Sequence, residues 1–236
     1  NHLIPSYIDA LTNELHIWAV TLGHPYVSNV FLGGGTPSML SANQMHSLLS
    51  LIRSEFAVQA DAEVTAEVNP DDVNFDRLSG FRDAGINRIS MGVQSFSNSE
   101  LHLLGRRHEV SHVLNAFETI QNAGITNISM DLMYGLPHQT IETWERNIKA
   151  VITAAPQHIS AYALTLEPET PMAHWVSKGT LPEQDSDLAA DMYEWASVEL
   201  AKAGYRNYEI SNWALPGRES RHNIIYWRNL PYLGVG

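Results

Sequence analysis

A run of three glycines is the stretch of the sequence whose residue types most suggest a ligand. Gly33 to Gly35 follow an apolar segment, Val30 to Leu32, that is typical of a buried strand, and Thr36-Pro37 follows them. Glycines carry no Cβ, so a ligand can lie against bare backbone amides and carbonyls. Ser41 and Gln44 have the spacing of a capping box and predict that a helix begins there. The stretch is either a ligand platform or only a tight turn. It lacks the lysine of a phosphate-binding loop and the spacing of a dinucleotide-binding turn.

Further polar residues stand near the ends of the later predicted strands. They are Glu67, Gln94, Asp131 and Tyr162. A carboxylate can hold an ammonium or a pair of ribose hydroxyls, an amide both donates and accepts, and a carboxylate inside an apolar strand needs a partner. Arg106-Arg107 could clamp a carboxylate in a bidentate way. Together these groups suit a zwitterionic small molecule that carries a ribose.

The same residues allow other interpretations. Glu67 could form a salt bridge between strands, and one of the two arginines could be a solvated surface residue. Glu67 and Asp131 could also be the two acids of a glycoside hydrolase, although the sequence does not fix their separation. No Ser-His-Asp or Cys-His arrangement is evident in the sequence.

The elements that must position these groups alternate regularly between strand and helix, which predicts a parallel α/β fold. The predicted strands cover residues 28–33, 62–68, 87–93, 126–133 and 158–164. The predicted helices cover residues 4–22, 41–57, 75–84 (with Phe75 facing inward), 110–123 and 140–154. In a barrel every strand ends at one mouth, whereas an open sheet gathers its ligand contacts in one crevice. A ring of ligand-type groups therefore favours a barrel. Five strands are too few to close one, which predicts a partial or truncated barrel.

The alternation stops after Pro171. We expect a helix at 186–203, a strand at 208–212 and a loop that runs into residues 222–227. Residues 1–170 are therefore predicted to form the partial barrel, and residues 171–236 an α+β extension.

Composition sets the remaining bounds. The 236 residues carry a net charge of −12, which argues against a nucleic-acid partner because phosphates require a basic surface. No apolar run is long enough to span a membrane and no signal peptide is apparent, so we expect a cytoplasmic protein. The chain has 11 histidines and no cysteine. His108 and His112 could share a helix face, but no carboxylate lies at a matching spacing, and we expect both to be solvated.

Several motifs stand in the order and spacing of the radical S-adenosylmethionine (SAM) family. They are Gly33 to Ser38, Glu67 to Pro70, Gly85 to Ser90 running into Gly92 to Phe96, and Asp131 to Pro137. Within that family the chain resembles the branch that holds the oxygen-independent coproporphyrinogen III oxidases and the HemW-like heme chaperones. The segment from His222 to Trp227 matches the HNxxYW pattern that marks the HemW-like proteins.

The resemblance implies a partial (β/α)6 barrel of the TIM-like, radical SAM type, without its first strand and with SAM at its mouth. It implies SAM contacts from Gly33, Gly34, Gly35, Thr36, Glu67, Gln94, Arg106, Asp131 and Ala163. The glycines would meet the methionyl amine, and Glu67 would meet the amine or the ribose. The ribose and the carboxylate would be held by Gln94, Arg106 and Asp131, and the backbone of Ala163 would meet the adenine.

For a second set the resemblance implies heme contact. This set comprises His222, Asn223, Tyr226 and Trp227. Histidine is a good axial ligand of heme iron, and tyrosine and tryptophan can stack on a porphyrin. The alternative is a packed aromatic corner with a helix cap.

One family feature is missing from the sequence. The family binds a [4Fe–4S] cluster through a CxxxCxxC motif in the loop after the first barrel strand, which would lie upstream of residue 1, and the chain has no cysteine. We therefore expect an internal fragment of a longer protein or a truncated gene product, inactive in radical chemistry by itself. A descendant without a cluster is the alternative.

Three functions follow from the resemblance. The first is a heme chaperone that binds heme and delivers it to acceptor proteins, with SAM and a [4Fe–4S] cluster in the intact protein. The second is an oxidase that decarboxylates the propionates of coproporphyrinogen III. The third is a barrel remnant that binds SAM weakly or not at all. The HNxxYW segment favours the first.

Overall fold

The computed structural model describes residues 2–236, which form two compact units. Among the described residues, the first unit comprises residues 2–90, 116–128 and 220–236, and the second comprises residues 91–115 and 129–219. The predicted division at residue 170 stays a prediction.

Strands and helices alternate along the chain as the sequence predicts. The strands are β1 (Tyr26–Leu32), β2 (Ala57–Val68), β3 (Arg88–Gln94), β4 (Ile128–Tyr134), β5 (His158–Ala163), β6 (Arg206–Glu209) and β7 (Asn212–Ala214). The helices are α1 (Ile4–Leu22), α2 (Ala42–Glu55), α3 (Phe75–Ala84), α4 (Asn98–Leu103), α5 (Val110–Asn122), α6 (Ile141–Ala154), α7 (Pro171–Ser177), α8 (Ser186–Lys202) and α9 (Arg221–Trp227).

The described strands form one sheet in the order β1-β2-β3-β4-β5-β7-β6. The pairs β1–β2 and β4–β5 are parallel, whereas β7 is antiparallel to both β5 and β6. Side chains alternate between the two faces of a strand. In β4, for example, Ile128, Met130 and Leu132 are fully buried, and Ser129 and Asp131 point to the opposite face.

Helix α2 illustrates how the first unit packs. Ser41 caps it through the predicted capping box with Gln44, and Met45, Leu48, Leu49 and Ile52 are buried along one face. The spacing of three and four residues places these side chains in one stripe. In the second unit, helix α6 also packs through a buried face. Its Trp144 is fully buried, and Nε1 of this residue donates to the Met192 carbonyl oxygen at 2.8 Å.

Several details differ from the predictions. Val30 to Leu32 are only half-buried, because β1 stands at one end of the sheet. Phe75 does not face inward but is 50% exposed, since it is the first residue of α3, directly after its cap Asn74.

The C-terminal segment differs more. The strand predicted at 208–212 is a hairpin, β6 and β7, with a turn at residues 210–211. The predicted loop into residues 222–227 is helix α9, capped by Ser220.

Among residues 2–236, no helix combines the length and the apolar character that crossing a lipid bilayer requires.

Gly80 tests the contact between α2 and α3. A Cβ at Gly80 would collide with the Cβ of Ala42 at the start of α2. We expect Gly80→Ala to lower the free energy of unfolding by about 1–3 kcal/mol through overpacking, even though alanine is the better helix former. The double variant Ala42→Gly/Gly80→Ala removes the collision and should recover most of the loss in urea denaturation. A stabilised Gly80→Ala protein would contradict this packing.

Candidate functional site

The glycine turn lies against Glu67 within the first unit. The parallel register aligns Leu32 with Ala66, so the next residues, Gly33 and Glu67, are neighbours. A Cβ on Gly33 would stand 3.1 Å from the Glu67 carboxyl carbon and 2.5 Å from Cε1 of Phe31. Gly33 is therefore needed for the close approach of the Glu67 carboxyl group, which is half-buried.

The other two glycines serve different purposes. Gly34 has φ +78°, a left-handed conformation that favours glycine. A Cβ on Gly35 would meet nothing within 4 Å, so its backbone borders open space. Thr36 then leads into a short 3-10 turn, Pro37–Met39. The turn thus offers a carboxylate beside bare backbone, which is the chemistry that an ammonium group requires.

Two contacts that the sequence did not reveal hold this turn in place. Arg77 Nη1 donates to the Ser38 carbonyl oxygen at 2.7 Å, and Ser38 Oγ donates to Asp72 Oδ2 at 3.2 Å. Both partners lie more than 30 residues along the chain, so local spacing gives no signal for them.

Alanine substitutions separate the roles of these glycines. Gly33→Ala should displace Phe31 or the Glu67 carboxyl group and lower the free energy of unfolding by about 1–3 kcal/mol. Gly35→Ala meets no neighbour and should change it by less than about 1 kcal/mol. Chemical denaturation of both variants checks this, and equal losses would contradict the close approach of Gly33 to Glu67.

In the second unit, Gln94 ends β3 in an unusual conformation. Its φ is +67°, rare for a residue with a side chain and frequent at functional sites. A buried network holds the residues after it. Asn147 Oδ1 accepts from the Phe96 amide at 2.7 Å, and Glu100 Oε2 accepts from Ser95 Oγ at 2.5 Å and from Asn147 Nδ2 at 2.9 Å. The one sequence signal was a polar residue, Asn147, on the apolar face of α6.

Asp131 is aligned with β5 in the same unit. The register places it opposite Ser160 and places Tyr134 opposite Ala163. Ser129 Oγ donates to Asp131 Oδ1 at 3.1 Å. Desolvation, and then the negative charge of Asp131, raise the pKa of Tyr162 above its ordinary value of 10.0, although the residue as a whole is 42% exposed. Ala163 is exposed at the end of the strand, where its backbone can be reached.

Arg106 lies in the exposed loop between α4 and α5. Desolvation lowers the pKa of its guanidinium from 12.5, although the side chain as a whole remains accessible. The group is still a cation at neutral pH and can bind a carboxylate.

Helix α9 brings the second predicted set of residues to the first unit. The buried Glu63 carboxylate accepts from the backbone amides of Arg221 at 3.0 Å and His222 at 3.4 Å. These are the amides that the first turn of a helix leaves without intrahelical partners. Glu63 therefore anchors α9 to β2.

The His222 ring lies among aromatic groups. It stacks on Phe31 with ring centroids 4.3 Å apart and an interplanar angle of 16°, and it meets Tyr226 edge-on at 4.9 Å. Asn29 Nδ2 lies 3.4 Å from His222 Nδ1. Asn29 and Phe31 are the register partners of Glu63 and Thr65, so the inner face of β1 and β2 receives this ring.

His222 and Tyr226 line a groove of about 1010 Å³ in the first unit. Its walls are mostly apolar and include Leu11, Leu15, Trp18 and Phe31. Asn223 and Trp227 do not line it: the Asn223 amide donates to the cap Ser220 at 3.3 Å, and Trp227 is 56% exposed. The structure thus brings two of the four predicted heme residues to this groove.

Burial, and secondarily the positive charge of Arg88, lower the pKa of His222 below its ordinary value of 6.5. Arg88 is itself only 2% exposed, and its Nε has no hydrogen-bond partner among the described residues. His222 is therefore neutral at pH 7, the form that binds a metal.

Replacing Arg88 should change the pKa of His222. Arg88→Met removes the cation, so the pKa of His222 should rise toward 6.5, whereas Arg88→Lys keeps the charge and should leave it low. In the wild type, the unfolded chain binds more protons than the folded one between the lowered pKa and 6.5, so stability increases with pH in that interval. NMR titration of the His222 ring checks both statements, and an unchanged pKa in Arg88→Met would contradict them.

The structure places His108 differently from the prediction. His108 was expected to be solvated, but it is only 3% exposed, and its Nε2 lies 3.1 Å from the Val93 carbonyl oxygen. Within the described part of the chain, no group of three or more His, Cys, Asp or Glu side chains could hold a metal ion.

Comparison with known proteins assigns the family. The profile of the Radical SAM superfamily matches residues 11–151. The chain belongs to the radical SAM superfamily. It is 38% identical to a protein named heme chaperone HemW from Synechocystis over 99% of this chain and 56% of that protein. It is 37% identical to HemW from Bacillus subtilis, over 99% of this chain and 62% of that protein.

A solved structure supports the fold class. Coproporphyrinogen III oxidase (HemN) from Escherichia coli, described as a radical SAM enzyme, matches with a TM-score of 0.82 and 29% identity over 96% of this chain and 52% of that one. The α/β fold of the radical SAM type with its incomplete barrel is thereby confirmed. The chain spans about half to three fifths of the length of the proteins it matches.

Membership of the superfamily implies SAM and a [4Fe–4S] cluster as cofactors. The residues of the chain fit the first, because Gly33 leaves room for the Glu67 carboxyl group beside open backbone. They do not fit the second. The sequence has no cysteine, so no side chain of these 236 residues can supply a thiolate to a cluster.

Proposed function

We propose that this chain forms the SAM-binding and heme-binding part of a HemW-like heme chaperone. The intact protein would bind heme and deliver it to heme-accepting proteins. The observation that carries the proposal is the neutral His222 at a large apolar groove, stacked on Phe31. The similarity over nearly the whole chain to proteins named heme chaperone HemW supports it.

His222 is the proposed ligand of heme iron. A ligating histidine binds through one ring nitrogen and donates from the other to a second group. Asn29 lies beside Nδ1, and its amide can turn its oxygen toward that nitrogen, since amide orientation is assigned from the hydrogen-bond network. Nε2 is then the nitrogen that binds iron. The ring of Tyr226 would pack against the porphyrin, and contacts from Asn223 and Trp227 stay predictions.

SAM is the proposed second ligand. In the first unit, Glu67 and Gly33 to Thr36 would hold its ammonium group. In the second unit, Gln94, Arg106 and Asp131 would hold its ribose and carboxylate, and the Ala163 backbone its adenine. The cluster supplies electrons to SAM when it is bound, and its ligands do not come from these residues. The unusual φ of Gln94 supports a functional position for that residue.

The second candidate is an oxidase acting on coproporphyrinogen III, which the likeness to HemN favours. Both functions require a reducing compartment for the cluster, and we propose the cytoplasm for this reason. The net charge of −12 supports small-molecule and protein partners rather than nucleic acid.

Substitution of His222 tests the heme site. We expect His222→Ala to abolish most of the Soret shift when hemin is titrated into the 236-residue chain, because the axial ligand is lost. SAM affinity, measured by calorimetry, should stay unchanged. Glu67→Gln should do the reverse and weaken SAM binding by about 1–3 kcal/mol through a lost charged partner. His16→Ala is the matched control, since His16 is exposed on α1 and does not line the groove.

The outcomes decide between the candidates. An unchanged heme spectrum in His222→Ala would overturn His222 as ligand. For the intact protein, reconstituted anaerobically, heme uptake without formation of protoporphyrinogen supports the chaperone. Formation of protoporphyrinogen without heme uptake would overturn the chaperone in favour of the oxidase.

A further inference from the structure

A line of hydrogen-bonded side chains connects Asp131 with strand β6 inside the second unit. Ser129 Oγ donates to Asp131 Oδ1 at 3.1 Å and lies 2.7 Å from His158 Nδ1. His158 Nε2 lies 2.8 Å from the hydroxyl of Tyr208. The four side chains come from β4, β5 and β6, so the line forms only when these strands are aligned as they are in this sheet.

The direction of each hydrogen bond follows from the proton count. An ionised carboxylate only accepts, and a serine hydroxyl has one proton to donate. Because Ser129 donates to Asp131, its oxygen must accept from His158, which requires the proton on Nδ1. In the neutral imidazole Nε2 then accepts, and the Tyr208 hydroxyl donates to it. Every donor in the line therefore points toward Asp131.

Burial makes this arrangement difficult to replace by water. Ser129 is 0% and His158 1% exposed. A buried donor or acceptor that loses its partner destabilises the fold, because the cost of removing it from water is no longer offset. Each side chain of the line therefore holds the next one in a single orientation. Adjacent hydrogen bonds in a chain also polarise one another, which strengthens the final bond to the carboxylate.

We propose that Ser129, His158 and Tyr208 are positioning residues that hold the Asp131 carboxylate oriented toward its ligand. The inference rests on the proposed role of Asp131 in binding SAM. A carboxylate has about four acceptor positions, so Asp131 can accept from a hydroxyl or ammonium donor of SAM as well as from Ser129. Replacing Ser129, His158 or Tyr208 should weaken SAM binding, although none of these side chains is proposed to contact SAM.

The test combines a spectroscopic readout with binding. In 15N NMR spectra of the 236-residue chain, the neutral His158 ring should carry its proton on Nδ1, with the signal assigned by its loss in His158→Gln. Ser129→Ala removes the acceptor of Nδ1, so the proton should move to Nε2. SAM affinity of this variant should fall about three- to tenfold, the effect of one lost hydrogen bond. Tyr208→Phe should give a smaller loss in the same direction.

Tyr205→Phe is the matched control. Its hydroxyl is also buried in the second unit and donates to the Pro156 carbonyl oxygen at 2.6 Å, but it is not part of the line. This variant should leave both the His158 tautomer and the SAM affinity unchanged.

The alternatives fail differently. A wild-type His158 protonated on Nε2 would overturn the proposed line itself. The expected tautomer, with weaker SAM binding in Asp131→Asn but not in Ser129→Ala, would overturn the positioning role and leave the SAM site standing. The expected tautomer with unchanged SAM binding in Asp131→Asn would overturn the proposed SAM role of Asp131.

Discussion

Buried polar groups on the strands are stabilised by hydrogen-bond partners, and this requirement determines where several elements of the structure pack. Each strand has an apolar face, for example Ile128, Met130 and Leu132 in β4, which are fully buried. The opposite face carries serines, acids and a histidine that are largely withdrawn from water. An unpaired group there would destabilise the fold by about 1–3 kcal/mol. The parallel register satisfies this need by setting Ser129 beside His158 and Asp131 beside Ser160.

The same requirement explains where His222 lies. Glu63 is 8% exposed on the inner face of β2, and its charge needs donors. The first amides of α9 supply them, which is favourable because a helix N-terminus carries partial positive charge. Docking α9 on Glu63 brings the His222 ring onto Phe31, at the edge of the apolar groove. A structural anchor and a proposed ligand position are therefore coupled through one short helix.

The sequence predicts those features that depend on interactions between residues close together in the chain. Periodicity and the pair Ser41 and Gln44 predicted the helices and strands of the α/β repeat to within a few residues, and α2 begins with the predicted capping box. The exception is β2, which begins at Ala57 rather than at the predicted residue 62. The placement of Glu67 next to the glycine turn also followed, because parallel strands bring successive ends together. The proposed ligands of these groups came from the family resemblance rather than from spacing.

What the sequence did not predict depends on contacts between distant residues. The anchor of α9 is an acid 158 residues earlier in the chain, so the segment looked like a loop. The network that holds the residues after Gln94 includes Asn147, which is 51 residues from its partner Phe96. The buried His108 contacts a carbonyl oxygen 15 residues earlier in the chain. Where one strand was predicted, the chain forms the hairpin of β6 and β7. The Glu209 side chain accepts a hydrogen bond from the backbone amide of Ser211 at the turn of this hairpin.

Hydrogen–deuterium exchange with and without SAM tests whether the polar ends of the strands bind this ligand. We expect SAM to slow exchange in two separate sets of peptides. One set covers the glycine turn and Glu67, and the other covers Gln94, Asp131 and Ala163, while the peptide of α9 with His222 is unaffected. Protection confined to α9, or absent from both sets at saturating SAM, would contradict this expectation.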